Sequence, residues 1–415
     1  MKIIQVVATI NKYSDGVNHA VRGMSRGLVA CGDSIELHCL DEIPAFAQGE
    51  PYSILNHVRS RFPIAYIGRS PEMAVALKRS AQDAEIIHSN GLWMMPNIYP
   101  EWAIRGTKCK LVVQPHGTLS QWAMKRSWWK KMPLWWLWQK RVLDKAELLV
   151  ATCDKEYKEI RTLGYKQPVA IIPIGLDLPV LDGKPQKTQK EGLKLATSHL
   201  PLATEHIEGA SQQAINSELK TPNSKLKKVV FFGRVHKVKA VDNLVKAWGD
   251  LHADLPDWEL VIAGPDCGAK ADLEAIIADG NIPRVRFMGE INGQAKYDFL
   301  TDADIYVLPS HTENFGVTVA EALACGTPTV ASQGTPWEGL ETEQCGKWVP
   351  IGVEPLITAL RELTSLTDED RAAMGQRGIE WIRRDFSWEG IGAKMKAAYA
   401  WLIGQAERPE WIRIG

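Results

Sequence analysis

The chain has 415 residues, 45% apolar and 24% charged, with 49 basic and 49 acidic side chains. That length suggests two or three domains, and the composition excludes a disordered or fibrous protein. The zero net charge is a cancellation: residues 1–224 carry 28 Lys/Arg against 21 Asp/Glu, and residues 225–415 carry 21 against 28, so the neutral total hides a polarised molecule.

The opening MKIIQVVATI is too short for a secretory apolar region and reads as a first strand. No stretch approaches the ~18 unbroken apolar residues of a membrane-spanning helix. The seven cysteines are scattered, with no CxxC pair, so neither a disulfide framework nor a zinc site is expected. A reducing cytoplasm is the expected compartment.

Through the first 180 residues, apolar runs alternate with helical patterns. Strands are expected at Ile3–Ala8, Ile35–Cys39, Glu85–Ser89, Leu111–Gln114, Leu148–Thr152 and Val169–Ile172. Helices are expected at Val17–Ala30, Glu72–Ser80, Pro96–Arg105, a long one near 121–145, and Lys155–Leu163. This alternation indicates a parallel sheet covered on both faces.

Inside it lies an unusual segment. Residues 105–145 hold ten Lys/Arg, one acidic residue (Asp144) and six of the 16 Trp. Trp128, Trp129, Lys130, Lys131, Trp135 and Trp136 combine interfacial aromatics with cations, as an in-plane helix on anionic lipid does. They form an expected membrane or acceptor face on the cytoplasmic side of a cell membrane. Pro133 is expected to break or kink the helix. The competing reading packs these Trp on the sheet as core, and the sequence leaves both open. Stacking on single-stranded nucleic acid is set aside, because no nucleic-acid module is recognisable.

Residues 181–227 are rich in Lys, Gln, Ser and Thr and lack aromatics, the composition of a linker or insertion between domains. The alternation restarts with VVFFG, ELVIAG, VRFMG, DIYVLPS and PTVAS as strands. Helices are expected at Val241–His252, Ala269–Ala278, Asn292–Leu300 and Val317–Ala324, then a helical tail over 354–364, 367–384 and 387–403. The expected architecture is α/β with two Rossmann-like domains, 1–180 and 228–385, facing a cleft, and a C-terminal helix (386–415) crossing back. Ligands of such sheets sit outside the carboxyl ends of the strands.

Two constellations carry chemistry. Glu313-Asn314-Phe315-Gly316-Val317 follows a strand ending in Leu308-Pro309-Ser310 and opens a helix that contains Glu321. One carboxylate sits in the loop and one in the helix, so both can face a ligand over the helix N-terminus. Unpaired N–H groups at Phe315, Gly316 and Val317 suit an anion there. The second is Phe231-Phe232-Gly233-Arg234, with Lys237 and Lys239 following. Cations directly after a strand suit a diphosphate at the sheet edge: Arg as a fork, Lys as a point charge.

With these motifs the chain resembles the retaining, GT-B-fold glycosyltransferases of family 4. The resemblance rests on GRVHKVKAVDNLVKAW (233–248), LVIAGP (260–265), VRFMGEI (285–291) and DIYVLPSHTENFGVTVAEALACGTPTVAS (304–332). In the first half it rests on Gly16, Gln114-Pro115-His116-Gly117-Thr118 and Ile172-Pro173-Ile174-Gly175-Leu176-Asp177. It implies that Glu321 binds the ribose hydroxyls of a nucleotide and Glu313 the donor sugar. It implies that Asn314, Phe315, Gly316 and Val317 contact sugar and β-phosphate through their backbone, and that Arg234 and Lys239 hold the diphosphate. It places Gly16 near the same phosphates, His116 across the cleft from the sugar, and the Ile291 backbone at the base. Three departures stand out: Asp15, Ala240 and Ile174 replace a frequent Gly, Gly and Asn.

The expected activity is transfer of a sugar from a nucleotide-diphosphate sugar (UDP- or GDP-linked) to a hydroxyl acceptor with retained configuration, without cofactor or metal. The expected acceptor is a lipid-linked or cell-surface polysaccharide or lipopolysaccharide intermediate; a soluble acceptor and a non-catalytic nucleotide-sugar-binding protein are the alternatives. Sugar phosphorylases and nucleotide-sugar epimerases share the donor motifs. A dinucleotide oxidoreductase is disfavoured, because no G-x-G-x-x-G follows a predicted strand. The sequence does not indicate an oligomeric state.

Overall fold

The structure, a computed structural model, describes residues 1–10, 16–60, 67–125, 128–178 and 226–415. Asp15, the Lys130 side chain and the 181–227 stretch up to residue 225 lie outside the described residues.

Two sheets organise the chain. The first contains β1 (Lys2–Thr9), β2 (Ser34–Leu40), β3 (Ser53–His57), β4 (Ile86–Asn90), β5 (Lys110–Gln114), β6 (Leu148–Ala151) and β7 (Val169–Ile171), with β14 (Ile412–Arg413) from the far end of the chain. The second contains β8 (Lys227–Phe232), β9 (Trp258–Ala263), β10 (Val285–Gly289), β11 (Ile305–Leu308), β12 (Thr329–Ser332) and β13 (Gly346–Val349). Their orders are β14-β7-β6-β5-β4-β1-β2-β3 and β10-β9-β8-β11-β12-β13. All pairings are parallel except β14 with β7. Every residue of β4, β6, β11 and β12 is buried, as a sheet covered on both faces requires. In each sheet the strand order reverses beside the first strand, between β1 and β4 and between β8 and β11, the switch points where such folds open a crevice.

β3, β13 and β14 were not anticipated. β3 is short and half-exposed, and β14 has two residues, too little pattern to read from the chain. Lys227 already belongs to β8, so the second unit starts one residue before the expected boundary.

The long helix expected near 121–145 is instead a chain of segments: α4 (Gln121–Lys125), α5 (Trp128–Leu134), a π-helical turn (Trp135–Gln139) and α6 (Lys140–Lys145). Pro133 sits inside α5, and its missing N–H and its ring disturb the ladder just before the widened turn. That turn splits the Trp set. Trp128, Trp129 and Trp136 are exposed at 62%, 64% and 69%, with Leu137 at 62%. Trp135 is corrected: it is 8% exposed and packs on Trp93 at 5.8 Å between ring centroids. It is core, not surface. Lys131 is half-buried, its Nζ donating to Ala123 O at 2.5 Å and lying 5.1 Å from the Trp93 ring centre.

The tail returns to the first sheet. The return helix Trp388–Leu402 crosses α1 (Gly16–Ala30) at small residues. A Cβ at Gly23 would sit 1.9 Å from the Trp388 ring, and one at Gly27 2.1 Å from the Trp388 carbonyl oxygen. Tyr399 on this helix meets His88 Nδ1 at 2.7 Å. Glycine here permits backbone contact that any side chain blocks. Gly27→Ala is therefore expected to cost about 1–3 kcal/mol and lower the thermal midpoint by several degrees, read by far-UV circular dichroism. Val75→Ala, at a position 62% exposed, should leave it unchanged; equal midpoints for both variants would contradict this packing.

Candidate functional site

The carboxyl ends of the two sheets meet. His116 and Gly117 follow β5, and Thr152 follows β6. Across from them, Arg234 follows β8, Ile291 follows β10, and the Ser310–Gly316 loop follows β11. Gly117 touches Asn314 directly: it has φ +75°, and a Cβ there would lie 2.7 Å from Asn314 Cβ.

Glu313 is the centre of the C-terminal side. Its Oε1 accepts from Lys239 Nζ at 2.6 Å and from Ser310 Oγ at 2.6 Å. Lys239 and Glu313 are 12% and 13% exposed, so the pair is little screened, and removing one partner strands the other. Arg234 is exposed and makes no hydrogen bond or ion pair among the described residues. One cation is thus pre-paired and one is available.

Gly316 caps the helix Val317–Ala324 in the left-handed conformation, φ +79°. The N–H groups of Phe315, Gly316 and Val317 donate to nothing among the described residues. Three unpaired donors at a helix start, next to the Lys239–Glu313 pair, suit an anion. Glu321 lies within that helix, 7% exposed, and accepts from Lys296 Nζ at 2.6 Å. Ile291 is 7% exposed. Gly16 is exposed at the start of α1.

His116 stands on the first-sheet edge next to Gly117, held with φ +54°. Asn90 Nδ2 donates to Gln5 Oε1 at 2.8 Å, which turns Asn90 Oδ1 toward His116 Nε2, 3.2 Å away. His116 must therefore carry its proton on Nε2, which leaves the Nδ1 lone pair open. Nδ1 is buried and has no partner among the described residues. Burial pushes the ring's pKa down to about 4, so it is a neutral acceptor at physiological pH.

The sequence reading missed several residues brought here. Lys296 faces Glu321. His19 on α1 is close enough to feel the charges of Glu321 and Lys296, and burial lowers its pKa. Asn90 orients His116. Thr152, Lys155 and Glu156 grip the Ser310–Gly316 loop. Each is an ordinary polar residue in a helix or strand end, with no local motif to reveal it; only the strand order brings them together. Among the described residues no group of three or more His, Cys, Asp or Glu could hold a metal ion, and no helix is long and apolar enough to cross a membrane.

The sheet pair matches known structures. It superposes on sucrose-phosphate synthase from Thermosynechococcus elongatus with a TM-score of 0.69 at 21% identity, covering 98% of this chain and 100% of that one. It superposes on Anabaena Alr3699/HepE in complex with UDP and glucose with a TM-score of 0.69 at 14% identity, covering 96% and 99%. The chain has the GT-B glycosyltransferase fold. The sequence model named Glycosyltransferase Family 4 matches residues 14–179, and that named Glycosyl transferases group 1 matches residues 212–381. Among curated relatives, the D-inositol 3-phosphate glycosyltransferase of Salinispora tropica is 33% identical over 170 residues, 39% of this chain and 35% of that protein. The chain spans 35% to 58% of the length of the first curated relatives it matches.

The histidine state is testable. Unfolded, His116 takes a proton near its ordinary value of 6.5; folded, it declines one until about 4. Stability is therefore lost as pH falls from about 6.5 to 4. An NMR titration of the His116 Cε1 proton should give a midpoint below 5. A midpoint near 6.5 would contradict the enclosed, neutral ring.

Proposed function

We propose that this protein is a retaining, metal-independent glycosyltransferase of family 4 that moves a sugar from a UDP- or GDP-sugar to a hydroxyl acceptor. The first unit (1–180) forms the acceptor side and the second (228–385) holds the donor. The observation that carries this reading is the contact of Gly117 with Asn314, which sets the Lys239–Glu313 pair and the unpaired N–H groups of Phe315–Val317 against the sheet edge that carries His116.

In this reading the diphosphate lies against Arg234, Lys239 and the helix start. Glu313 keeps Oε2 for a sugar hydroxyl while Oε1 is held by Lys239 and Ser310. Glu321 takes the ribose hydroxyls, with Lys296 competing for one of its oxygens. His116 Nδ1 accepts from a sugar hydroxyl.

The bond from the anomeric carbon to the β-phosphate oxygen breaks through an oxocarbenium-like transition state, as in other glycosyl chemistry. The acceptor oxygen bonds to the same face and gives its proton to the departing phosphate. Fixed cations and N–H dipoles aimed at the leaving charge stabilise it with little reorganisation. Closure of the two units excludes water and limits hydrolysis.

The exposed Trp128, Trp129 and Trp136 among basic residues favour a membrane-linked saccharide acceptor and a peripheral position on anionic lipid. The likeness to sucrose-phosphate synthase and to a D-inositol 3-phosphate glycosyltransferase favours a soluble acceptor instead.

Incubation with a panel of nucleotide sugars, with and without EDTA, tests the activity. Transfer should survive EDTA, and product NMR should show the donor's anomeric configuration; loss with EDTA, or inversion, would overturn the mechanism. Arg234→Ala and Glu313→Gln should each lower kcat/KM by roughly 10²–10³; full activity in both would overturn the site. Flotation with anionic liposomes should be lost when Trp128, Trp129 and Trp136 are replaced by Ser. If the unaltered protein stays unbound, the soluble acceptor stands.

A further inference from the structure

We propose that Thr152, Lys155 and Glu156, at the amino end of α7 (Asp154–Thr162), are positioning residues that fix the His116 loop against the Glu313–Gly316 loop. The proposal rests on the transfer reading above, since it names what holds that site in its working geometry.

Glu156 is fully buried and joins the two sides. Its Oε1 accepts from Gly117 N at 2.5 Å. Its Oε2 accepts from Thr152 N and from Thr152 Oγ1, both at 2.8 Å. Thr152 Oγ1 in turn accepts from Asn314 Nδ2 at 3.0 Å. A continuous chain therefore runs from the residue after His116, through one carboxylate and one hydroxyl, to the residue after Glu313. Burial raises the pKa of Glu156 while the donors facing it pull the other way. A buried carboxyl with fewer donors would be costly to keep, so the group is committed to this junction.

Lys155 makes the second tie. Its Nζ donates to Thr312 Oγ1 at 2.6 Å, to Glu313 O at 3.2 Å and to Gly334 O at 3.2 Å. Glu313 N donates to the same Gly334 O at 2.9 Å. One ammonium from the first unit thus joins the loop that carries Glu313 to the loop after β12. The Cys153 thiol adds a bond to Asn314 O at 3.2 Å.

These ties end on the Ser310–Gly316 loop and on Gly334 just after β12, outside the strands of the second sheet. They form only when the two units are together, so they register the site on closure. A displacement of about 1 Å at a reacting centre costs on the order of 10²-fold in rate. None of the three needs to touch the donor, so their loss should fall on turnover rather than donor affinity.

The test uses the full chain with Thr152→Val, Lys155→Met, Glu156→Gln and the conservative Thr152→Ser. Kinetics use the UDP- or GDP-sugar that supports transfer, and hydrogen–deuterium exchange reads the peptides containing Gly117 and Glu313 without any substrate. Thr152→Val and Lys155→Met should lower kcat about 10–100-fold with donor KM changed less than about threefold. The share of donor hydrolysed rather than transferred should rise, and both peptides should exchange faster. Thr152→Ser should restore rate and exchange; Glu156→Gln should behave as Thr152→Val if it folds. Wild-type turnover and exchange in Thr152→Val and Lys155→Met would overturn the proposal. So would a rate loss that Thr152→Ser fails to recover. If no nucleotide sugar supports transfer, the transfer reading falls, and the exchange result alone decides whether the tie exists.

Discussion

The contact between Gly117 and Asn314 is the constraint on which the rest depends. Two independent sheets present their carboxyl edges to one another, and these two residues are in direct contact where the edges meet. Gly117 adopts φ +75°, and any Cβ there would stand 2.7 Å from Asn314 Cβ. A larger residue would hold the units apart and separate His116 from Glu313. Glycine supplies both the left-handed turn and the space. The return helix secures the same arrangement from behind, since Trp388 lies on Gly23, Gly27 and Gly175 of the first unit.

Charge at the junction is organised in advance. Lys239 pairs with Glu313 and Lys296 with Glu321, each at 2.6 Å. In the proposed site each carboxylate keeps an oxygen for a hydroxyl, and each lysine can share its charge with an anion. Buried pairs of this kind add little net stability. In the proposed transfer their value lies in holding side chains where the donor would need them. Arg234, exposed and without a partner among the described residues, is the further cation of the proposed anion site.

Much of this was legible in the chain. The alternation of apolar runs and helical patterns gave the two sheets, because buried parallel strands must be continuous apolar runs. The helix Val317–Ala324 fell where its motif placed it, since a strand, a turn and a glycine cap are local features. Ala240, flagged as an alanine where a glycine is frequent, adopts φ +49° and is fully buried; the backbone demand persists although the residue changed. What sequence could not give was non-local. Thr152, Lys155, Glu156, Lys296 and Asn90 acquire their partners only through strand order and closure of the two units. Trp135 shared its composition with Trp136, yet one is core and the other exposed. The π-helical turn beside Pro133 decides which, and an ideal helical period does not anticipate it.

The most direct test of the central claim is a crystal structure of the protein with a UDP-sugar soaked into the junction. The account predicts the diphosphate within hydrogen-bond distance of Arg234, Lys239 Nζ and the N–H groups of Phe315–Val317, with His116 Nδ1 facing a sugar hydroxyl. A nucleotide bound elsewhere, or a diphosphate that contacts neither Arg234 nor Lys239, would contradict it.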